Sequence, residues 1–309
     1  MSETADETLL ERDADFTTPL KRVAYEAGML LGLEATRDEQ AYHRQRLNRQ
    51  QYWLHGSGTL VGMVVAIDPP ETVETGPILT RITVSPGIGI DGLGREVNIH
   101  EGYCVDLGAW LQAQTETSLR DGYDEDNDLL WLKLTVRYQA CEVGKQPVLA
   151  RKLNLSTDAV QPSRTADSIL LEMIPELPTA TDSDNFRPWA VHDPVDHDFD
   201  INDLDASEQA IIQAANGNPA LQQQLLLHAR LLHALDGDGI ETNLAAEQLE
   251  EGARLLLAHV AITVTDLNSI IDSNIGDPVV NPNDIHVNNL VRPFLTTASQ
   301  LAYLARTTL

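Results

Sequence analysis

Residues 82–99, Ile-Thr-Val-Ser-Pro-Gly-Ile-Gly-Ile-Asp-Gly-Leu-Gly-Arg-Glu-Val-Asn-Ile, restrict the fold more than any other stretch of the chain. Ile82 and Val84 alternate with polar neighbours, the pattern of a half-buried strand. Ser85-Pro86-Gly87 breaks the run, Ile88 and Ile90 resume it, and Asp91-Gly92-Leu93-Gly94 supplies a second turn rich in residues that tolerate positive φ. Val97 and Ile99 open a third run. The spacing predicts three short strands in a compact meander, with Gly87, Asp91, Gly94 and Arg95 as a turn scaffold. Asp91 and Arg95 are placed to pair across the second turn. A phosphate cradle built on the same glycines would need a helix after them, with its N-terminus facing the anion. Strand pattern follows instead.

The flanking pattern is mixed. Leu60–Ile67 predicts a strand that leads, through a loop holding Pro69, Pro70 and Pro77, into the glycine-rich stretch. Leu130, Leu132, Leu134 and Val136 alternate within Leu129–Tyr138, and Ile169–Ile174 reads as a further strand closed by prolines. Residues 151–162 read as extended or irregular. From Thr179 the composition shifts to Asp with Pro188 and Pro194, a long surface excursion over 179–208. Helical spacing follows at Ser207–Ala215, Pro219–Leu235 and Ala245–Glu251, then a strand at Arg254–Val264, loop over 266–289 and a last helix at Pro293–Tyr303. These elements predict an α+β fold: a β-rich, sandwich-like core with an N-terminal helix and a helical insertion. The parts are a disordered acidic tail (1–15), an N-terminal helical docking segment (16–58), a β-rich domain (59–178), the insertion (179–252) and a return to the β domain with a C-terminal helix (253–309).

Near the N-terminus, Thr36-Arg37-Asp38-Glu39 has the form of a capping box and predicts a helix from about Asp38 to Leu54, stopped at Gly56 or Gly58. This helix gathers Arg37, His43, Arg44, Arg46 and Arg49 in a chain whose formal net charge is -26. Its apolar residues, Tyr42, Leu47, Trp53 and Leu54, are too few for a broad buried face. Two readings stay open. The arginines pair with carboxylates of their own subunit, or the helix meets an acidic surface on another. The second makes Tyr42, Arg44, Arg46, Arg49 and Trp53 an assembly interface.

Charge and composition exclude several classes. A net charge of -26 opposes a coat for nucleic acid or an anionic membrane, and no apolar run is long enough for a membrane-spanning helix. With 42% hydrophobic residues in 309, the chain buries a real core. Cys104 and Cys141 make no metal-ligand spacing and read as buried free thiols. The acidic start lacks a secretory signal, so synthesis and assembly are expected in the cytoplasm, with release or membrane anchoring only as part of a particle.

No catalytic motif is present, and no cofactor is expected. Asp124–Asp128 fails the calcium-loop template, with Leu129 where glycine is needed. Asp236–Ile240 fits better, with Glu247 at the twelfth position, but Ile240 stands where an oxygen ligand belongs. His192, Asp193, Asp196, His197 and Asp198 form the one dense cluster of metal-binding residue types, at no helical spacing.

A longer string now comes together: Gly28-Met29-Leu30-Leu31, Asp38-Glu39-Gln40-Ala41-Tyr42-His43-Arg44, Leu47-Asn48-Arg49, His55-Gly56-Ser57-Gly58-Thr59-Leu60-Val61-Gly62-Met63, Val84-Ser85-Pro86-Gly87 through Asp91, and Gly94-Arg95-Glu96-Val97. It resembles the N-terminal signature of baseplate- or spike-associated structural proteins of phage-tail-like contractile injection systems. Val136-Arg137-Tyr138, Gln146-Pro147-Val148 and Pro162-Ser163-Arg164 are similar to a shared later segment. The resemblance covers about residues 24–178, with a fainter echo at Leu255–Val264 and Arg292-Pro293. The chain departs from it at Met63, where the family has Leu, and in the helical insertion. The resemblance implies a non-enzymatic structural subunit whose partners are other baseplate or spike subunits and copies of itself. The alternatives are a fibre-associated β-sandwich module that binds glycans or a cell surface, and a metal-dependent hydrolase using His192–Asp198.

Overall fold

The computed structural model describes residues 19–68, 80–147, 160–179, 201–232, 246–264, 267 and 284–307. The expected tail over 1–15, the Pro69–Pro77 loop, most of 151–162, the His192–Asp198 cluster and Asp236–Ile240 lie outside these residues. The architecture is α+β, with three antiparallel sheets and an N-terminal helix.

Helix α1 spans Leu33–His55. It begins earlier than the capping-box reading placed it. Its N-cap is Gly32 with no side-chain cap, and Thr36 lies inside the first turn, its hydroxyl reaching back to Gly32 O at 3.5 Å. Leu33, Glu34 and Ala35 are good helix formers, so nothing stops the helix before the glycine. Glu39 accepts instead from Val23 N–H (3.2 Å). At the other end Gly56, at φ 74°, closes the helix and donates to Tyr52 O at 2.8 Å.

The predicted strand at Leu60–Ile67 is two strands, β1 (Gly58–Gly62) and β2 (Val65–Asp68). The predicted meander over 82–99 is also divided. β3 (Arg81–Val84) pairs with β2, whereas β4 (Gly87–Ile90) pairs with β1 and with β5 (Glu96–Ile99). One long hairpin is therefore bent at its middle and serves two sheets. The bend falls between the Gly62–Gly87 and Val65–Val84 pairs. There the backbones approach so closely that a Cβ on Gly62 would stand 2.1 Å from Pro86 O and one on Gly87 2.3 Å from Met63 N. Met63 turns the corner at φ 55° and is fully buried. Sheet order is β1-β4-β5 in the first sheet and β2-β3-β6 in the second, with β6 at Tyr103–Asp106.

Two short helices that the sequence reading missed follow: α2 (Leu107–Gln112), capped by Asp106, and α3 (Glu116–Arg120), capped by Thr115. β7 (Tyr123–Asp124) then joins the third sheet, built on β8 (Leu129–Pro147) and β9 (Val160–Pro175). Both long strands extend the expected runs, since their pairing continues to Pro147–Val160. Helices α4 (Ala206–Ala214), α5 (Pro219–Leu232) and α6 (Ala246–Ala253) occupy the predicted insertion. The chain then enters β10 (Arg254–Thr263), which lies between β8 and the unforeseen β11 (Ile285–Asn288). The last helix, α7, is Ala298–Thr307 rather than Pro293–Tyr303. Residues 293–295 instead bond to β1, with Thr59 N donating to Pro293 O and Leu295 N to Thr59 O, each at 2.9 Å.

One apolar cluster unites the sheets. Leu130, Leu132, Leu134 and Val136 of β8, together with Leu257, Val260 and Ile262 of β10, pack with Val65, Ile82, Val97 and Ile99 of the other two sheets and Leu107, Leu111 and Leu119 of the short helices. The predicted sandwich-like core is thus realised with bent rather than flat layers. Cys104 and Cys141 are free, but Cys104 is exposed and Cys141 half-buried. β6 is an edge strand whose Tyr103, Cys104 and Val105 are all exposed, against the buried expectation for Cys104.

Candidate functional site

The turn between β4 and β5 is held by one carboxylate. Leu93 N and Arg95 N donate to Asp91 Oδ1 at 2.9 and 2.8 Å, and Arg95 Nε donates to Asp91 Oδ2 at 2.7 Å. Gly94 N closes the turn onto Asp91 O, with Gly94 at φ 77°. Asp91 is completely buried and Arg95 nearly so. Burial pushes the Asp91 carboxyl above its ordinary value, while the Arg95 charge and the hydrogen bonds from Arg95 and Leu93 pull it back.

This turn joins three other elements. Arg95 places its guanidinium 5.2 Å from the ring centroid of Tyr138 on β8. Gly92 N donates to Gly252 O in the last turn of α6 at 2.9 Å. A Cβ on Gly94 would stand 2.1 Å from Asn48 O in α1, so only glycine admits the helix this close. Gly87 serves the hairpin bend instead, and the two glycines share no site.

Helix α1 is fixed at this point and otherwise lightly covered. Over 23 residues, only Ala41 and Asn48 are buried. Tyr42, Arg44 and Arg49 are half-buried, whereas Arg46 and Trp53 are exposed. Arg44 and Arg49 interact within the chain. Arg46 donates to Tyr42 O–H across one turn at 3.1 Å, and His43 stands 3.2 Å from Glu39. The five predicted interface residues therefore do not form one free basic face. Leu33, Leu47, Trp53 and Leu54 are exposed, as are Tyr25, Met29, Leu30 and Leu31 before the helix.

Arg292 was noticed in the sequence only as part of a faint echo. It closes the hairpin bend, donating to Met63 O at 2.7 Å, to Asn289 O at 3.0 Å and to the Asn289 side chain. Its acceptors are uncharged, and burial lowers its guanidinium to about 10. Asn289 in turn bonds both backbone groups of Val65 at 2.9 Å, acting as a neighbouring strand would. An ion-pair group was missed too. Lys133 meets Glu251 at 2.9 Å and Glu176 at 3.6 Å, and Arg254 meets Glu172 at 3.0 Å.

The described residues form apolar recesses at the surface. A groove of about 530 Å³ is lined by Leu60, Phe294, Leu295 and Tyr303, and one of about 220 Å³ by Val84, Tyr103, Trp110 and Met173. The Asp124 carboxylate is taken up by its own turn, accepting from Asp126 N, Asn127 N and the Asn127 amide. Among the described residues no group of three or more His, Cys, Asp or Glu side chains is arranged to hold a metal ion. No helix among them is long and apolar enough to cross a membrane.

No family model matches the sequence, and no curated protein matches it. A solved structure described as "Crystal structure of TssK" is similar to this chain at 13% identity and a TM-score of 0.25, over 70% of this chain and 55% of that one. The chain therefore spans little more than half the length of that protein. A superposition at such a score does not establish a common fold.

Proposed function

We propose that this chain is a non-enzymatic structural subunit of a contractile injection particle, built into its baseplate or spike end. One observation carries the reading. Helix α1 extends for 23 residues with two of them buried, and its leucines face solvent although the domain has a large apolar core of its own. Exposed apolar residues gathered on one element mark a surface awaiting a partner. The resemblance of residues 24–178 to baseplate- and spike-associated proteins names the kind of assembly that supplies it. The partners are then other baseplate or spike subunits and further copies of this chain. The Asp91–Arg95 turn has a structural task, since Gly94 within it lets α1 approach at Asn48.

A mass-spectrometric inventory of purified particles tests the proposal. The chain is expected in the baseplate fraction, in stoichiometric amount. Because Arg46 and Leu47 are both exposed, an Arg46→Glu/Leu47→Glu variant is expected to fold normally and to lose incorporation by about tenfold, the factor that ~1.4 kcal/mol of lost binding produces. Unchanged incorporation, or absence of the native chain from intact particles, would overturn it.

A further inference from the structure

The exposed side of α1 carries a second period. Leu33, Gln40, Leu47 and Leu54 recur at every seventh residue, and the three leucines are 67%, 56% and 66% exposed. At 3.6 residues per turn this stripe lies roughly 100° around the helix from the buried Ala41 and Asn48, with the half-buried Arg44 and Gln51 between them. A row of apolar side chains every seven residues supplies one of the two positions that a helix pair packs in its seam, with Thr36, His43 and Gln50 at the other, and one polar residue in such a row fixes its register. Here Gln40 is that residue.

We propose that α1 pairs with the same helix of a second copy of this chain, antiparallel, about a two-fold axis beside His43 and Arg44. The proposal rests on the reading of α1 as an assembly helix and names its partner. A two-fold interface requires a patch that complements itself, and the stripe does so in the antiparallel sense. Leu33 of each copy meets Leu54 of the other, and Gln40 meets Leu47. The charges select the same direction. Glu34, Asp38 and Glu39 lie in the first turns, with Arg37 the one base among them. From Gln40 to His55 the helix carries Arg44, Arg46 and Arg49 and no acid. Antiparallel pairing sets the acidic end of each helix beside the basic end of the other, at an axial separation of ~8–10 Å, about one Debye length at physiological salt. Parallel pairing would set like beside like and align the two helix dipoles unfavourably. Two copies of a chain with net charge -26 otherwise repel each other, and α1 is where that repulsion is offset.

Light scattering and cysteine cross-linking of the full chain decide the matter, with Cys104 and Cys141 replaced by Ser. The chain is expected at twice its 34.0 kDa mass, and Leu47→Glu is expected at the monomer mass with an unchanged circular dichroism spectrum. A Gln40→Cys/Leu47→Cys variant should oxidise to a dimer whose linked peptides join position 40 to position 47. Leu33→Cys alone should not cross-link, because antiparallel copies hold that position ~32 Å apart at 1.5 Å per residue. A monomer at about 100 μM would overturn the pairing, since a weaker interaction than ~5–6 kcal/mol is implied. So would a Leu33→Cys dimer, a dimer that survives Leu47→Glu, or cross-linking of the stripe to a different subunit in particles. A dimer absent from particles overturns the injection-particle reading and leaves the pairing. A monomer that is nevertheless incorporated does the reverse.

Discussion

Asp91→Asn separates the charge of the turn from its shape. Asn retains an oxygen for the Leu93 and Arg95 amides, which lie 2.9 and 2.8 Å from Asp91 Oδ1, but not the negative charge that Arg95 Nε meets at 2.7 Å. Arg95 would keep its place beside Tyr138 at 5% exposure, as a cation deprived of its carboxylate. Removing one partner of a buried ion pair costs about 3–5 kcal/mol, whereas replacing both by apolar groups of similar volume is often close to neutral. Urea denaturation at pH 7, followed by tryptophan fluorescence, should show a loss of that size for Asp91→Asn and a smaller one for Asp91→Asn/Arg95→Met. The sign with pH is also fixed. The folded Asp91 value is raised, and the unfolded value is about 3.9. Its contribution to stability is therefore complete below the unfolded value and lost as pH rises through the folded one. Arg95→Met removes a lowering influence, so its penalty should shrink as the pH falls. A cost below about 1 kcal/mol for Asp91→Asn, within the range of an exposed pair, would refute the reasoning. Strict additivity of the two single changes would refute it as well.

Gly94→Ala forces an L residue to φ 77° and a methyl group to 2.1 Å from Asn48 O. The left-handed backbone alone costs about 1–2 kcal/mol, and hydrogen exchange should quicken in α1 while β8 and β10 keep their protection. Arg292→Met strips the donor from the buried Met63 carbonyl and the Asn289 group. A loss of about 1–3 kcal/mol per unsatisfied acceptor is expected, read as a lower Tm. Leu257→Ala, at a fully buried site in β10, should cost about 2–5 kcal/mol in the same assay.

Strong periodicity survived folding, and punctuation was where the sequence misled. Leu130, Leu132, Leu134 and Val136 are all buried because period two puts them on one face of β8. The glycines of 82–99 marked turns correctly, yet not the assignment of β3 and β4 to separate sheets. Adjacent strands in sequence usually pair with each other. Here β3 and β4 do not pair with each other: β3 pairs with β2 (Val65–Val84 to Asp68–Arg81) and β4 with β1 (Gly58–Ile90 to Gly62–Gly87) and β5, a choice set by tertiary pairing that no local pattern records. The capping-box motif was ambiguous for a similar reason. Thr36-x-x-Glu39 has the form and lies inside a helix, whereas Asp205-x-x-Glu208, not noticed in the sequence, is a true box. Ser207 N and Glu208 N donate to Asp205 Oδ1 at 2.7 and 2.9 Å, and Asp205 N donates to Glu208 Oε2 at 3.3 Å. The difference lies in what precedes the motif: a separate short turn at Ile201–Asp203 comes before Asp205, whereas Leu33, Glu34 and Ala35 before Thr36 are already helical. Arg292 was out of reach because the Met63 carbonyl it holds lies more than two hundred residues earlier in the chain.

The bent hairpin and the helix are parts of one argument about assembly. Most helical stability comes from burying a face, and isolated helices of modest length are marginal. Helix α1 buries Ala41 and Asn48, and the Gly94–Asn48 approach is one of the contacts that hold it to the domain. Gly94→Ala and Leu47→Glu therefore attack the same helix by different routes. The first loosens the anchor and leaves the leucine stripe intact. The second spoils the stripe and leaves the anchor intact. Both should lower incorporation into particles, but in the monomer only Gly94→Ala should speed exchange of the α1 amides. If Leu47→Glu speeds them equally, Leu47 packs on its own domain, and the helix is a covered element rather than a docking one.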